Sequence, residues 1–238
     1  SDKQGILWIG TLNDGLWKCK FDGTTFKYDK IIPLNEREDA LAKISSLFVD
    51  NNGNVWVPTQ SSGVWRTTSI SDYTYIKSKD VGIPQAVGAS FCETDDGDVL
   101  MGTDGCGMVL LDSDFQVKRN ISGLSSNSVL TIVKEKDDYL IGYWGGESNR
   151  YNIKTGDISK IIYNGIENPR HTTKNICRMA DGSIYISAAG DGVYRGKNGK
   201  WEKLVLTDSA MSNYPDVWVE GTYQKPDGNI VIYTARTI

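Results

Sequence analysis

Six stretches of this chain are versions of one another, and that repetition limits the fold more than any other property of the sequence. They are DKQGILWIGTLNDGLWK (Asp2–Lys18), DNNGNVWVPTQSSGVWR (Asp50–Arg66), TDDGDVLMGTDGCGMVL (Thr94–Leu110), KEKDDYLIGYWGGESNR (Lys134–Arg150), MADGSIYISAAGDGVYR (Met179–Arg195) and KPDGNIVIYTARTI (Lys225–Ile238). Five carry an anchoring turn glycine, Gly5, Gly53, Gly97, Gly182 and Gly228, and Asp137 stands in that place in the fourth. Successive anchors lie 48, 44, 40, 45 and 46 residues apart, a mean of about 45. Three residues after each anchor comes a large apolar side chain: Trp8, Trp56, Leu100, Leu140, Tyr185 and Val231. A second glycine follows ten residues after the anchor at Gly15, Gly63, Gly107 and Gly192, with Glu147 at that position in repeat four. A fixed period of this length marks solenoids, propellers and arrays.

The second repeat shows what one unit folds into. An apolar strand, Ile44–Val49, runs into Asp-Asn-Asn-Gly, whose residues tolerate the left-handed region and bond their own backbone. The chain reverses into Asn54–Thr59, turns again at the second glycine, and adds Val64–Thr68 and Tyr73–Ile76. Four antiparallel strands per repeat predict an all-β chain built as a β-propeller. One four-stranded sheet cannot cover both of its faces. Stacking the sheets around an axis covers them, with the recurring Trp, Leu and Tyr between blades. The coil of a parallel β-helix is much shorter, the Leu/Asn ladders of leucine-rich repeats are absent, and a seven-stranded sandwich does not show one pattern six times. The whole chain, residues 1–238, reads as a single domain. At this period 238 residues hold about 5.3 blades, whereas seven need about 312. The expectation is therefore a portion of a seven-bladed propeller: four complete blades, a first without its inner strand and a last with two strands, with unpaired edges at both ends.

Composition removes several classes of function. A net charge of −4 and a pI near 5.1 lack the footprint of a nucleic-acid binder. No basic run suits an anionic membrane surface, and no apolar stretch approaches a membrane span. The chain has one histidine, His171, and its four cysteines, Cys19, Cys92, Cys106 and Cys177, form no C-x-x-C pair. Zinc or another metal is not expected, nor is any cofactor. Cys92 and Cys177 share one phase of the repeat two blades apart, which suits packing rather than a mutual disulfide. No G-x-S-x-G, phosphate-binding loop or histidine cluster supplies catalytic chemistry. A carboxylate pair for glycoside hydrolysis needs only to meet in space, but most aspartates fall in turns whose geometry already accounts for them. No catalytic residue is assigned.

The string D-x-x-G-x-[IL]-W-[IV]-G-T-x-x-x-G-[LV] is matched throughout by Asp2–Leu16, and by Asp50–Val64 with Pro58 in place of glycine and Val55 at the [IL] position. It resembles the two-component-regulator propeller repeat of hybrid two-component histidine kinases, abundant in gut Bacteroidetes. The segment Gly123–Val129 is similar to that family's entry into the inner strand. The resemblance implies a periplasmic sensor region of two propellers followed by an immunoglobulin-like module, a membrane helix and kinase domains. It further implies an oligosaccharide ligand derived from glycans, signal transduction as a homodimer, and no enzymatic activity in this segment. Two alternatives remain open: a propeller enzyme (a polysaccharide lyase or hydrolase, or a lactone-cleaving lyase), and a structural or protein-interaction propeller.

Departures from the repeat mark the candidate ligand contacts. Repeat four reads Gly142-Tyr-Trp-Gly-Gly-Glu-Ser-Asn-Arg150 where repeat one reads G-T-x-x-x-G-L. Trp144 offers a platform for the C–H face of a pyranose, with Glu147 and Arg150 for hydroxyls, a uronate or a sulfate. The alternative is that Trp144 packs on a neighbouring blade while Glu147 and Arg150 form an ordinary surface pair. Trp218, with Tyr214 in the connection before it, falls at the start of an inner strand near the channel mouth, as ligand platform or as plug. Arg170 and His171 lie in another long connection.

Overall fold

The structure is a computed structural model that describes residues 5–31, 43–60, 63–67, 73–76, 87–163, 172–205 and 218–234. Every regular element among them is a strand. Repeat one forms β1 (Leu7–Gly10), β2 (Leu16–Phe21) and β3 (Phe26–Ile31). Repeat two forms β4 (Phe48–Val49), β5 (Val55–Pro58), β6 (Val64–Thr67) and β7 (Tyr73–Ile76). Repeat three forms β8 (Val87–Glu93), β9 (Val99–Asp104), β10 (Met108–Leu111) and β11 (Val117–Ile121). Repeat four forms β12 (Val129–Glu135), β13 (Asp138–Tyr143), β14 (Asn149–Asn152) and β15 (Ile158–Lys160). Repeat five forms β16 (Thr173–Arg178), β17 (Ile184–Ala188), β18 (Gly192–Lys197) and β19 (Lys200–Lys203), and repeat six β20 (Val219–Gln224) and β21 (Ile230–Thr234). Among the described residues, strands follow sequence order within each sheet, giving one three-stranded, four four-stranded and one two-stranded sheet. These are β-propeller blades. They fall into two compact units, Ser1–Asn120 and Ile121–Ile238.

The anchor turn closes as its composition requires. Gly53 has φ +83° and donates its N–H to the Asp50 carbonyl at 3.0 Å. The buried Asp50 carboxylate accepts from the backbone N–H groups of Asn52 and Asn54, the Asn54 amide and the Trp56 indole, at 2.7–3.0 Å. In repeat four the structure corrects the alignment. Glu135 pairs directly with Asp138, so the turn has only two residues, and the positive φ of +57° falls on Lys136 rather than on Asp137. The next left-handed residue is Gly145, two before Glu147. The inner strand of repeat two is also shorter than Ile44–Val49. Ser45 donates to the Pro58 carbonyl at 3.0 Å, but proline has no N–H to return, and only the bridge Ile44↔Thr59 precedes β4.

In repeats two, four and five the residue three after the anchor packs toward the following blade. Trp56 meets Phe91 and Phe115, with ring centroids 5.7 and 4.9 Å away. Leu140 packs with Ile184 and Ile186, and Tyr185 with Val219. The opposite face of each strand receives the preceding blade: Val55 and Val57 lie against Leu16 and Ile31. In β1 the equivalent positions, Leu7 and Ile9, are each 41% exposed, and Phe21, Phe26 and Tyr28 are exposed on the same face of that sheet. The double change Phe26→Ser, Tyr28→Ser should therefore reduce binding of a hydrophobic dye while costing only about 1 kcal/mol per site, from the lost Phe21–Phe26 and Trp17–Tyr28 ring pairs. A large loss in urea-unfolding midpoint would contradict the open-face description. All four cysteines are free thiols, with Cys19 buried and the others half-buried. Burial holds the Cys177 thiol above its ordinary value.

Candidate functional site

The turn between β13 and β14 is fastened from both sides through the Trp144 backbone. Trp144 donates its N–H to the Ser128 carbonyl at 2.9 Å, and its carbonyl accepts from the Ser126 hydroxyl at 2.9 Å. Just inside, the buried Asn149 side-chain oxygen accepts from the Ser125 N–H at 3.0 Å and the Tyr143 phenol at 2.8 Å. Burial raises the Tyr143 phenol well above the usual range, so it remains a neutral donor. The Ser148 and Thr173 hydroxyls meet at 3.0 Å, tying the turn to the start of β16. Trp144 itself is 52% exposed.

Two charged residues missed from the sequence complete the site, and one backbone device aims both. Each of three inner strands in the second unit carries a β-bulge near its start. Val129 pairs with Tyr143 and Thr131 with Gly142, leaving Leu130 over. Thr173 pairs with Ala188 and Asn175 with Ser187, leaving Lys174. Val219 pairs with Thr234 and Gly221 with Tyr233, leaving Glu220. A bulge leaves its extra residue unpaired and re-aims its side chain. The Lys174 ammonium lies 5.3 Å from the centroid of Trp144 and 5.7 Å from that of Trp218, within cation–π range of both. It also lies 3.4 Å from the Glu220 carboxylate, whose other oxygen accepts the Trp218 indole N–H at 2.6 Å. Trp218 is 42% exposed. Repeats four, five and six thus join two half-exposed indoles through one ion pair.

The other candidate residues fall elsewhere. Glu147 pairs with Lys160. Arg150 pairs with Glu135 and, at 3.3 Å, with Asp138. Arg150 sits opposite Leu140, four positions along β13 from Trp144, or about 13 Å at the usual strand rise. Glu147 and Arg150 therefore serve different partners and do not form a pair with each other. Arg170, His171 and Tyr214 lie outside the described residues. Lys174 and Glu220 share a phase that could have revealed them, since each stands eight residues before its anchor glycine. Among the described residues, no group of three or more His, Cys, Asp or Glu side chains converges as metal ligands.

No family model and no curated protein matches the chain. Solved structures do. The extracellular domain of BT3049, described as a hybrid two-component system of B. thetaiotaomicron, superposes with a TM-score of 0.78 and 19% identity over 97% of this chain. That of BT4673 from the same organism, described as a one-component system, gives 0.74 and 15% over 98%. The chain spans 31% and 33% of the lengths of those two extracellular domains. Virginiamycin B lyase from Staphylococcus aureus gives 0.72 and 15%, with all of this chain and 83% of the lyase covered. These likenesses establish the propeller fold, and they include sensor domains of the kind that the repeat string resembles.

Proposed function

We propose that this chain is a ligand-sensing propeller segment of a periplasmic two-component sensor, and that it contacts a glycan-derived oligosaccharide through Trp144, Lys174, Trp218 and Glu220. The single observation carrying this is the pair of half-exposed indoles joined by the Lys174–Glu220 ion pair. Aromatic rings cover the apolar face of a sugar, and a donor and acceptor between them take its hydroxyls. Signal output belongs to kinase domains of the intact sensor, with a neighbouring propeller, an immunoglobulin-like module and a second protomer as partners.

Titration calorimetry and tryptophan fluorescence across a panel of plant and host glycan fragments test this reading. One class of oligosaccharide should bind, and Trp144→Ala and Trp218→Ala should each weaken it roughly tenfold, about 1.4 kcal/mol. Binding that survives both substitutions unchanged would remove the site. The likeness to virginiamycin B lyase sustains a second reading, an enzyme using Glu147 as acid or base. Mass spectrometry of the incubated oligosaccharide separates the two: turnover that disappears in Glu147→Gln supports the enzyme, and an unaltered ligand supports the sensor.

A further inference from the structure

Among the described residues, each charged group near the two indoles has an opposite charge beside it. Glu220 bonds the Trp218 indole with one carboxylate oxygen and faces Lys174 with the other. Glu147, on the turn that carries Trp144, is matched by Lys160. Arg150, on the strand leaving that turn, is matched by Glu135 and Asp138. Lys174 is the cation held against both rings, and its charge is already answered by Glu220.

We infer that the ligand is an uncharged saccharide with neighbouring hydroxyls, rather than a uronate or a sulfated sugar. This rests on the function proposed above and narrows it. An ammonium has three protons, so Lys174 retains donors after engaging Glu220, and the carboxylate retains lone pairs after accepting from Trp218. The ion pair is therefore an adjacent donor and acceptor, which is what two neighbouring hydroxyls require. Two platforms flanking that pair suit two linked sugar rings. An acidic sugar faces the opposite situation. Its anion must take Lys174 from Glu220, and it brings a second negative charge beside a carboxylate fixed by the indole N–H. Arginine forks suit planar bidentate recognition of anions, whereas here a single lysine point charge already faces a carboxylate.

The test is calorimetry of the full chain against matched pairs, each neutral oligosaccharide beside its uronate or O-sulfated counterpart, at low and high salt. The neutral member should bind at least about tenfold more tightly, with little salt dependence. Glu220→Gln keeps an acceptor for Trp218 but removes the counter-charge, and it should shrink or reverse that preference by about tenfold. Lys174→Gln should weaken the neutral ligand without creating affinity for the acidic one. An acidic member that outbinds its neutral counterpart on the native chain, with affinity falling as salt rises, overturns this inference and leaves the site standing. Absence of binding by both members of every pair removes the site and this inference with it. The native-chain comparison decides the matter even where a variant fails to fold.

Discussion

Gly142→Val should destabilise the second unit by about 3 kcal/mol or more, among the largest effects of any single substitution in it. Gly142 lies on β13 between the Thr131 side chain of β12 and the Thr173 side chain of β16. A Cβ built there would stand 2.5 Å from the Thr173 Cγ2, 2.6 Å from the Thr131 Cγ2 and 2.9 Å from the Thr173 Cβ. Neither neighbour yields readily, because threonine is β-branched and restricted at χ1. Thr173 is further held through its hydroxyl by Ser148. Relief must come from moving β16 away, which breaks the packing of Leu140 against Ile184 and Ile186. Urea unfolding measures this directly, with the midpoint falling at unchanged slope. Gly142→Ala should cost about 1–3 kcal/mol. Part of that cost should return in the double variant with Thr173→Ser, which removes the nearest methyl but keeps the hydroxyl. A valine variant within about 0.5 kcal/mol of the parent would mean that the two strands do not approach as described.

Asp50→Ala should cost the first unit about 3 kcal/mol. Its carboxylate gathers four donors into one turn, and both Asn54 and the Trp56 indole are buried around it. Alanine leaves those donors without an acceptor. Each buried unsatisfied group costs about 1–3 kcal/mol, moderated where water enters the turn. The damage should spread beyond the turn, because the Trp56 ring packs on Phe91 and Phe115. Fluorescence and urea unfolding should therefore report a looser Trp56 together with lower stability. Asp50→Asn keeps one oxygen but turns an amide toward the indole N–H, and it should fall between the parent and alanine. An alanine variant as stable as the parent would remove the claim that this carboxylate organises the turn.

The repeat made the blades legible because blade geometry is local. A turn, a second strand and a large apolar residue recur within a short window, and each part has its own propensity. The exceptions had local causes too. Pro58 carries no N–H, which shortens pairing beside β4. Repeat four closes with two turn residues instead of a glycine loop, which moves its left-handed position to Lys136. The site was legible only where it departs from the repeat. Trp144 and Trp218 stand out because the other blades have nothing like them at those phases. Glu147 and Arg150 looked like their companions because they are near Trp144 in the chain. Strand direction undoes that nearness: Arg150 is carried back along β14 toward Asp138, and Glu147 leans to Lys160. Lys174 and Glu220 share a phase of the repeat, but what aims them is a one-residue slip in strand pairing, which side-chain identity alone does not reveal.

That slip separates two pressures that usually compete. A residue in a sheet ladder serves its neighbours first, so changing it disturbs the sheet. Leu130, Lys174 and Glu220 are surplus to their ladders, and the pairings on either side close without them. Substitutions at these three positions should leave the ladder pairing of each inner strand in place while changing the side chain that stands beside it. One scaffold can in this way change the side chains it presents, blade by blade, with no new loop and no new fold.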